Sequence, residues 1–298
     1  VACDFLITGC RGQLGSDLMS LLALEHSVHG IDIEDCDVTD REAVLKAVVE
    51  AGPQVVLHTA AYAEVDECEA NREQAMLVNA EGAGSVALAC RDVGARMVYY
   101  STDYVFDGKY DRPYTEDDPP NPVTVYGQSK LQGERAVQAV LDDPIIMRIS
   151  WVYGRKGHNF VKTMIRLGLK QVAAREAGND VTALKVVDDQ VGNPCWTMDI
   201  ARQTRVVLAG HLSGLLHATS EGETTWHGLA RAVFGILAMD VLLQPCTSAE
   251  FVRAAQRPVR STLDNTRLAA AGLNVMRNWK TALESFLHEE GKELIREC

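Results

Sequence analysis

Phe5-Leu6-Ile7-Thr8-Gly9-Cys10-Arg11-Gly12-Gln13-Leu14-Gly15 joins a short apolar run to a turn carrying three glycines. Leu14, Leu18, Leu21 and Leu22 then recur at helical spacing. The order strand, glycine turn, helix is the opening of a nucleotide-binding α/β unit. In the spacing G-x-x-G-x-x-G, the glycines allow a tight turn and a close approach of a pyrophosphate. Free N–H groups and the helix dipole at the helix start favour that anion. Gly9, Arg11, Gly12, Gln13, Leu14 and Gly15 are therefore expected to bind a dinucleotide.

The pattern continues outward from this loop. Strand-like runs at Ser27–Ile31, Gln54–Leu57, Arg96–Ser101 and Ile145–Ile149 alternate with helical stretches at Asp40–Ala51, Glu67–Val93 and Val123–Leu141. Such alternation builds a doubly wound parallel sheet of the Rossmann type. Beyond Trp151 the pattern loosens. Helices are expected at Asn159–Val172, Asp199–Ala209 and Thr225–Leu237, with strands at Thr182–Val187 and Leu215–Ala218 and a mostly helical tail from Asn265. The expected organisation is a dinucleotide-binding domain over 1–150, joined again by about 182–222. A smaller mixed α/β substrate lobe takes 151–181 and 223–298.

The chain has 298 residues, 47% of them hydrophobic and 23% charged, which suits a globular enzyme with a sizeable core. Its formal net charge of −12 argues against nucleic acid as a partner, because that needs broad basic faces. A small anionic ligand is still compatible, held by backbone N–H groups and a few local arginines. The eight cysteines form no C-x-x-C pair and no zinc spacing, so they read as reduced thiols of a cytoplasmic protein. Val1–Thr8 reads directly as a strand rather than a secretion signal, and no apolar run is long enough for a membrane span.

Asp32 closes the second strand, 20 residues after Gly12. An acid there bonds adenosine ribose hydroxyls and favours NADH. Arg11 points the other way, toward the 2′-phosphate of NADPH, while Glu34 and Asp35 would repel that phosphate. Both cofactors stay open. Asp37 and Val38 line the adenine pocket or form a helix N-cap region.

Tyr126 and Lys130 lie four residues apart on an expected helix, hence on one face. A free phenol has a pKa near 10, and a neighbouring cation favours its ionised form. Thr102 ends the fourth strand, where ligands of doubly wound sheets bind, and its hydroxyl can reach a carbonyl oxygen. Thr102, Tyr126 and Lys130 are the expected catalytic set of a nicotinamide-dependent reductase. His58 reads as a packed or backbone-bonded group, and no G-x-S-x-G elbow is present.

Longer segments carry a family resemblance over nearly the whole chain. They are TGCRGQLG (8–15), DVTD (37–40), AAYAEVDECE (60–69), Asn79-Ala80, STDYVFDG (101–108), YGQSK (126–130) and RISWVYG (148–154). Asn159-Phe160, DQVGNP (189–194), Thr224–Trp226 and RPVRSTLD (257–264) complete the set. The sequence resembles the extended short-chain dehydrogenase/reductases, and within them the dTDP-4-dehydrorhamnose reductase family. The resemblance implies NAD(P)H-dependent reduction of the 4-keto group of dTDP-4-dehydro-L-rhamnose to dTDP-L-rhamnose, with NADPH slightly favoured as cofactor, by a monomer or homodimer. Tyr126 would protonate the C4 oxygen, Lys130 would tune it and bind ribose, and Thr102 would orient the keto oxygen. Ala60, Ala61, Tyr62 and Asn79 would line the cofactor. Asp103, Tyr104 and Trp151 would border the sugar with Asn159 nearby, and Arg257 and Arg260 would meet the pyrophosphate.

Departures from the family pattern are Ala63 and Cys195, where threonine is frequent. Some members hold Mg²⁺ with glutamates. The corresponding places here are Asp17, Met198 and the region of Glu289, and a thioether suits a hard cation poorly, so no metal site is expected. Two other functions share the pattern. A dehydratase or epimerase of the same fold is one, although dehydratases resemble Thr-Asp-Glu where this chain has Thr102-Asp103-Tyr104. A non-catalytic subunit resembling the regulatory β subunit of methionine adenosyltransferase is the other.

Overall fold

The computed structural model describes residues 4–297. The first half supplies β1 (Phe5–Thr8), β2 (Val28–Ile31), β3 (Val55–His58), β4 (Arg96–Thr102) and β5 (Ile145–Ile149). Shorter strands follow: β6 (Val152–Tyr153), β7 (Leu184–Val187), β8 (Val191–Gly192) and β9 (Cys195–Trp196). The series ends with β10 (Gly214–His217), β11 (Thr224–Thr225) and β12 (Leu243–Cys246). Six of these form one sheet in the order β10-β5-β4-β3-β1-β2, and every neighbouring pair is parallel. The Rossmann-type sheet read from the alternating pattern is therefore present. Of the expected first strand, Val1–Cys3 lie outside the described residues.

The order reverses beside β1. The chain steps from β1 to β2 on one side and returns to β3 on the other, which leaves a crevice at the strand ends. β1 and β3 are buried along their whole length, as parallel strands covered on both faces must be. Their alternating side chains feed two cores. Phe5, Ile7, Val55, Leu57, Val98 and Met147 pack with helices α1 (Gln13–Leu22) and α8 (Thr197–Ala209). Leu6, Val56, Met97, Tyr99 and Ile146 pack on the opposite face. Their partners there are α2 (Arg41–Ala51), α5 (Ala83–Val93) and α6 (Val125–Val140).

The single helix expected over Glu67–Val93 is broken. It runs as α3 (Val65–Ala70), α4 (Arg72–Met76), a π-helical turn over Leu77–Gly82, and α5. Asn71 leaves helical geometry at φ −119 and ψ 51. In the π turn the Tyr99 hydroxyl donates to the Asn79 carbonyl at 3.1 Å, giving that carbonyl a partner outside the helix. Periodicity cannot show such an insertion, because Tyr99 arrives from another element.

The chain after Trp151 builds a third core from Tyr153, Val161, Ile165, Leu229, Val233 and Phe286. It is carried by α7 (Phe160–Glu176), α9 (Trp226–Ile236) and α11 (Trp279–Glu297), while α10 (Thr266–Ala270) packs its Leu268 into the first core. Leu184–Val187, grouped by the sequence with the first domain, pairs in parallel with β12. α8 and β10 join the sheet layers.

One buried ion pair ties α6 to the sheet. Arg148 of β5 donates twice to Glu134, at 2.8 and 2.7 Å, and Ser101 of β4 donates to the same carboxylate at 2.5 Å. Both charged side chains are almost completely buried. Arg148→Met should therefore strand Glu134 in the core and lower unfolding stability by about 3–5 kcal/mol, read by urea denaturation. A loss below about 1 kcal/mol would show that the pair is not what holds α6.

Candidate active site

The glycine loop sits at the crevice. Gly9 has φ +70, and a Cβ at Gly15 would stand 2.2 Å from the Gly9 carbonyl oxygen. Helix α1 starts at Gly12 with no side-chain cap, so its first N–H groups are left for an anion. Gln13 turns the other way, donating to the His158 carbonyl at 3.0 Å and accepting from Asn159 at 3.0 Å. Asn159 also caps α7 and donates to the Gly154 carbonyl. The structure thus uses its amide to join α7 to the loop rather than to face a sugar.

Asp32 accepts from the Arg11 backbone N–H at 2.8 Å and from Ile33 N–H at 2.9 Å. The Arg11 guanidinium is paired with Glu34 and Asp35 on the exposed rim. Asp37 accepts from Thr39, and the α2 cap is Asp40. Val38 is a buried wall packed near Gly82. Ala60 and Ala61 follow β3 into the crevice, and Ala60 backs onto Gly9. Asn79 accepts from Tyr62 N–H at 2.8 Å and donates to Ser129 at 2.9 Å, pinning the Ala60–Tyr62 loop against α6.

Thr124 caps α6 by accepting from Gly127 N–H at 3.0 Å. A Cβ at Gly127 would lie 2.0 Å from the Tyr104 carbonyl oxygen, so glycine is what lets α6 touch the turn after β4. That contact brings Tyr126 beside Thr102. Burial raises the Tyr126 phenol above its ordinary pKa, Asp103 adds to the rise, and a hydrogen bond with Thr102 opposes it. The depression expected from Lys130 is absent in the protein alone: desolvation leads the shift, and Lys130 is not among its causes. The Lys130 ammonium instead lies 4.1 Å from the Tyr99 ring centroid, and burial lowers it to about 7 against the pull of Glu134. Glu134 is already engaged by Arg148. A buried amine beside the crevice, without a carboxylate of its own, fits the hydroxyls of a cofactor ribose.

His58 bonds Thr8 Oγ1 through Nδ1 at 2.7 Å, and burial lowers its pKa to about 3, with Lys130 adding to the shift. It is a packed neutral group with a side-chain partner. Tyr104 stands edge-on to Tyr126 with centroids 6.0 Å apart. Asp103, expected on the sugar wall, is buried behind Thr102 at 2% exposure. Trp151 has φ +41, and its indole stacks on Trp226 at 3.5 Å with 3° between planes. Trp226 donates to Gln190, and Phe160 leans on it. Trp226 itself packs against the core of the second lobe. No spacing signal could have paired two tryptophans 75 positions apart.

Arg257 is bidentate on Asp66, at 3.0 and 2.7 Å, and Asp66 is held well below the usual carboxylate range by that bond. Arg260 pairs with Glu223. Cys195 is fully buried and bonds Asn193 and Ser220, so it forms no outer wall. Asp17 accepts from Thr197, and Arg155 sits among Glu290, Glu293 and Glu297. Among the described residues no group of three or more His, Cys, Asp or Glu is placed to hold a metal ion, and no helix is long and apolar enough to cross a membrane. The six described cysteines are free thiols, while Cys3 and Cys298 lie outside the described residues.

A parallel sheet with this loop and a Thr-Tyr-Lys set at its strand ends defines the nicotinamide-dependent carbonyl reductases. Residues 3–291 match the family model described as RmlD substrate binding domain. The chain belongs to that family, the NAD(P)-dependent dTDP-sugar reductases. It is 45% identical over 291 residues to a dTDP-4-dehydrorhamnose reductase of Streptomyces griseus, covering 95% of this chain and 92% of that one. It is 41% identical over 282 residues to a dTDP-4-keto-6-deoxy-D-glucose reductase of Streptomyces niveus, covering 94% of each. The dTDP-4-dehydrorhamnose reductase of Bacillus anthracis, solved in complex with NADP, superposes with a TM-score of 0.91 at 36% identity, covering 97% of this chain and 100% of that one.

Stacked indoles couple their transitions, so Trp226→Ala should remove a near-UV circular dichroism signal that Trp226→Phe only reduces. Unchanged spectra in Trp226→Ala would exclude the stack in solution.

Proposed function

We propose that the protein reduces the 4-keto group of dTDP-4-dehydro-L-rhamnose to dTDP-L-rhamnose, using NADH or NADPH. The observation that carries this reading is the meeting of Thr102 and Tyr126 beside the crevice, with Tyr104 where a dehydratase would need an acid. Similarity to dTDP-4-dehydrorhamnose reductases over nearly the whole chain supports it. The relative named for a dTDP-4-keto-6-deoxy-D-glucose substrate favours a second reading, reduction of another dTDP-linked 4-keto-6-deoxy sugar.

A bound nicotinamide would supply the hydride to C4. Gly9, Gly12 and Gly15 with the start of α1 would hold its pyrophosphate, and Lys130 its ribose. Tyr126 donates its proton to the C4 oxygen as charge develops there. Its high pKa keeps it protonated for that task. Thr102 holds the phenol and the keto oxygen in line, and Trp151 on its Trp226 support bounds the sugar. Arg257 and Arg260 reach a substrate diphosphate only by exchanging Asp66 and Glu223 for phosphate oxygens.

NAD(P)H oxidation with each of the two dTDP-4-keto-6-deoxy sugars tests the reading. Turnover of neither, by protein that binds the cofactor, would refute it and favour a regulatory subunit. Tyr126→Phe should lower kcat by about 10²–10⁴-fold with cofactor Kd nearly unchanged, whereas Lys130→Ala should damage both. Near-native kcat in Tyr126→Phe would remove the tyrosine from its role as proton donor.

At the ribose end, Glu34 and Asp35 pair with the single Arg11 guanidinium, and Asp32 adds a third carboxylate that accepts from the Arg11 backbone N–H. We infer a preference for NADH, because a 2′-phosphate meets net negative charge there. The kcat/KM ratio should favour NADH by about tenfold, and Asp32→Ala should reduce or reverse it. A wild-type preference for NADPH would overturn the inference.

A further inference from the structure

We propose that Asp103 is a positioning residue whose protonation state decides whether Thr102 offers a hydrogen-bond donor or an acceptor to Tyr126 and the keto oxygen. The proposal rests on the reductase reading above and adds a group behind the reacting atoms.

The basis is a count of hydrogen bonds. A threonine hydroxyl has one proton to donate and two lone pairs to accept with. One lone pair of Thr102 is taken by Tyr104 N–H at 3.2 Å. Asp103 Oδ1 lies 3.1 Å from the same hydroxyl. If Asp103 is ionised, the Thr102 proton must point inward to the carboxylate. A lone pair then faces Tyr126, which spends its proton on Thr102. If Asp103 is neutral, its O–H fills the second lone pair. The Thr102 proton must then point outward, toward the phenol oxygen or the keto oxygen, and Tyr126 keeps its own proton for the substrate. Only the neutral arrangement has both hydroxyls donating toward the developing oxyanion.

The surroundings shift Asp103 toward that arrangement. Asp103 is 2% exposed, and its Oδ2 is fully buried without a close hydrogen bond. No arginine or lysine pairs with it among the described contacts. Tyr126 faces it from α6, Tyr104 from its own turn and Cys195 from β9, with Arg257 reached only through Tyr104. Ser150 and Ser261 stand against the carboxyl. Burial raises it to about 6, with the nearby Ser261, Ser150 and Thr102 hydroxyls opposing the rise. A group with a raised pKa loses its proton as pH climbs through that value, so the donor arrangement fades on the alkaline side.

The test is the pH profile of kcat with saturating dTDP-4-keto sugar and NAD(P)H for wild type, Asp103→Asn, Thr102→Val and Thr102→Ser. Wild-type kcat should fall by about tenfold as pH rises through the Asp103 ionisation, then level, which is the value of one neutral hydrogen bond. Asp103→Asn, whose amide always has a proton to donate, should lack this limb but keep any limb due to Lys130. Thr102→Ser should retain the limb, and Thr102→Val, slower overall, should lose it. Persistence of the limb in Asp103→Asn, or in Thr102→Val, overturns the proposal. If Asp103→Asn does not fold, the threonine pair still decides. Carboxyl ¹³C NMR of wild type labelled at aspartate provides a readout independent of turnover. A buried aspartate titrating well above the ordinary aspartate range, and silent on Thr102 variants' folding, supports the proposal; ionisation of every aspartate at ordinary pH overturns it. Absence of sugar turnover would defeat the reductase reading while leaving this titration interpretable.

Discussion

The buried pair between Glu134 and Arg148 is the constraint on which the site depends. It locks α6 to β5 and, through Ser101, to β4. Lys130 lies one helical turn before Glu134, and Tyr126 one turn before Lys130. Fixing that single carboxylate therefore fixes the height of both residues above the sheet. Two desolvated charges are costly, and the bidentate geometry offsets that cost only if α6 keeps its place. Gly127 completes the constraint from the other end, where the helix backbone meets the Tyr104 carbonyl.

The electrostatics of the crevice follow from burial more than from charge pairing. Lys130, Tyr126, Asp103 and His58 are all shifted toward their neutral forms, and desolvation is the leading cause for each. Neutral groups hold protons that they can donate and lone pairs that they can offer. Outside the crevice the opposite holds: Asp66 with Arg257, Arg260 with Glu223, and Arg11 with Glu34 and Asp35 are charged pairs at the rim. A charged ligand entering here exchanges partners with those pairs before it meets the neutral interior.

Much of the fold was legible because each element carries its own signal. The apolar runs at Phe5–Ile7 and Val55–Leu57, the glycine turn and the capped start of α6 at Thr124 are local statements. The break in the helix after Glu67 was not legible. Asn71 leaves helical geometry there, and in the π turn that follows Tyr99 reaches the carbonyl of Asn79 from across the fold. The family resemblance implies that Asp103 borders the sugar and that Asn159 lies near it. The structure turns both side chains to internal partners, since residues adjacent in a chain do not share a direction.

The sequence by itself determined the parallel sheet, the dinucleotide loop and the presence of Thr102, Tyr126 and Lys130 at one end of the molecule. Periodicity, turn chemistry and short spacing suffice for these, because they depend on neighbours within a few residues. Only the tertiary structure decided what each polar group is bonded to: Arg257 to Asp66, Trp151 to Trp226, and the Thr102 hydroxyl to Asp103 and Tyr104. Those choices join residues from separate elements, or turn one side chain among several near partners. They are settled by packing and by the cost of leaving a buried polar atom without a partner.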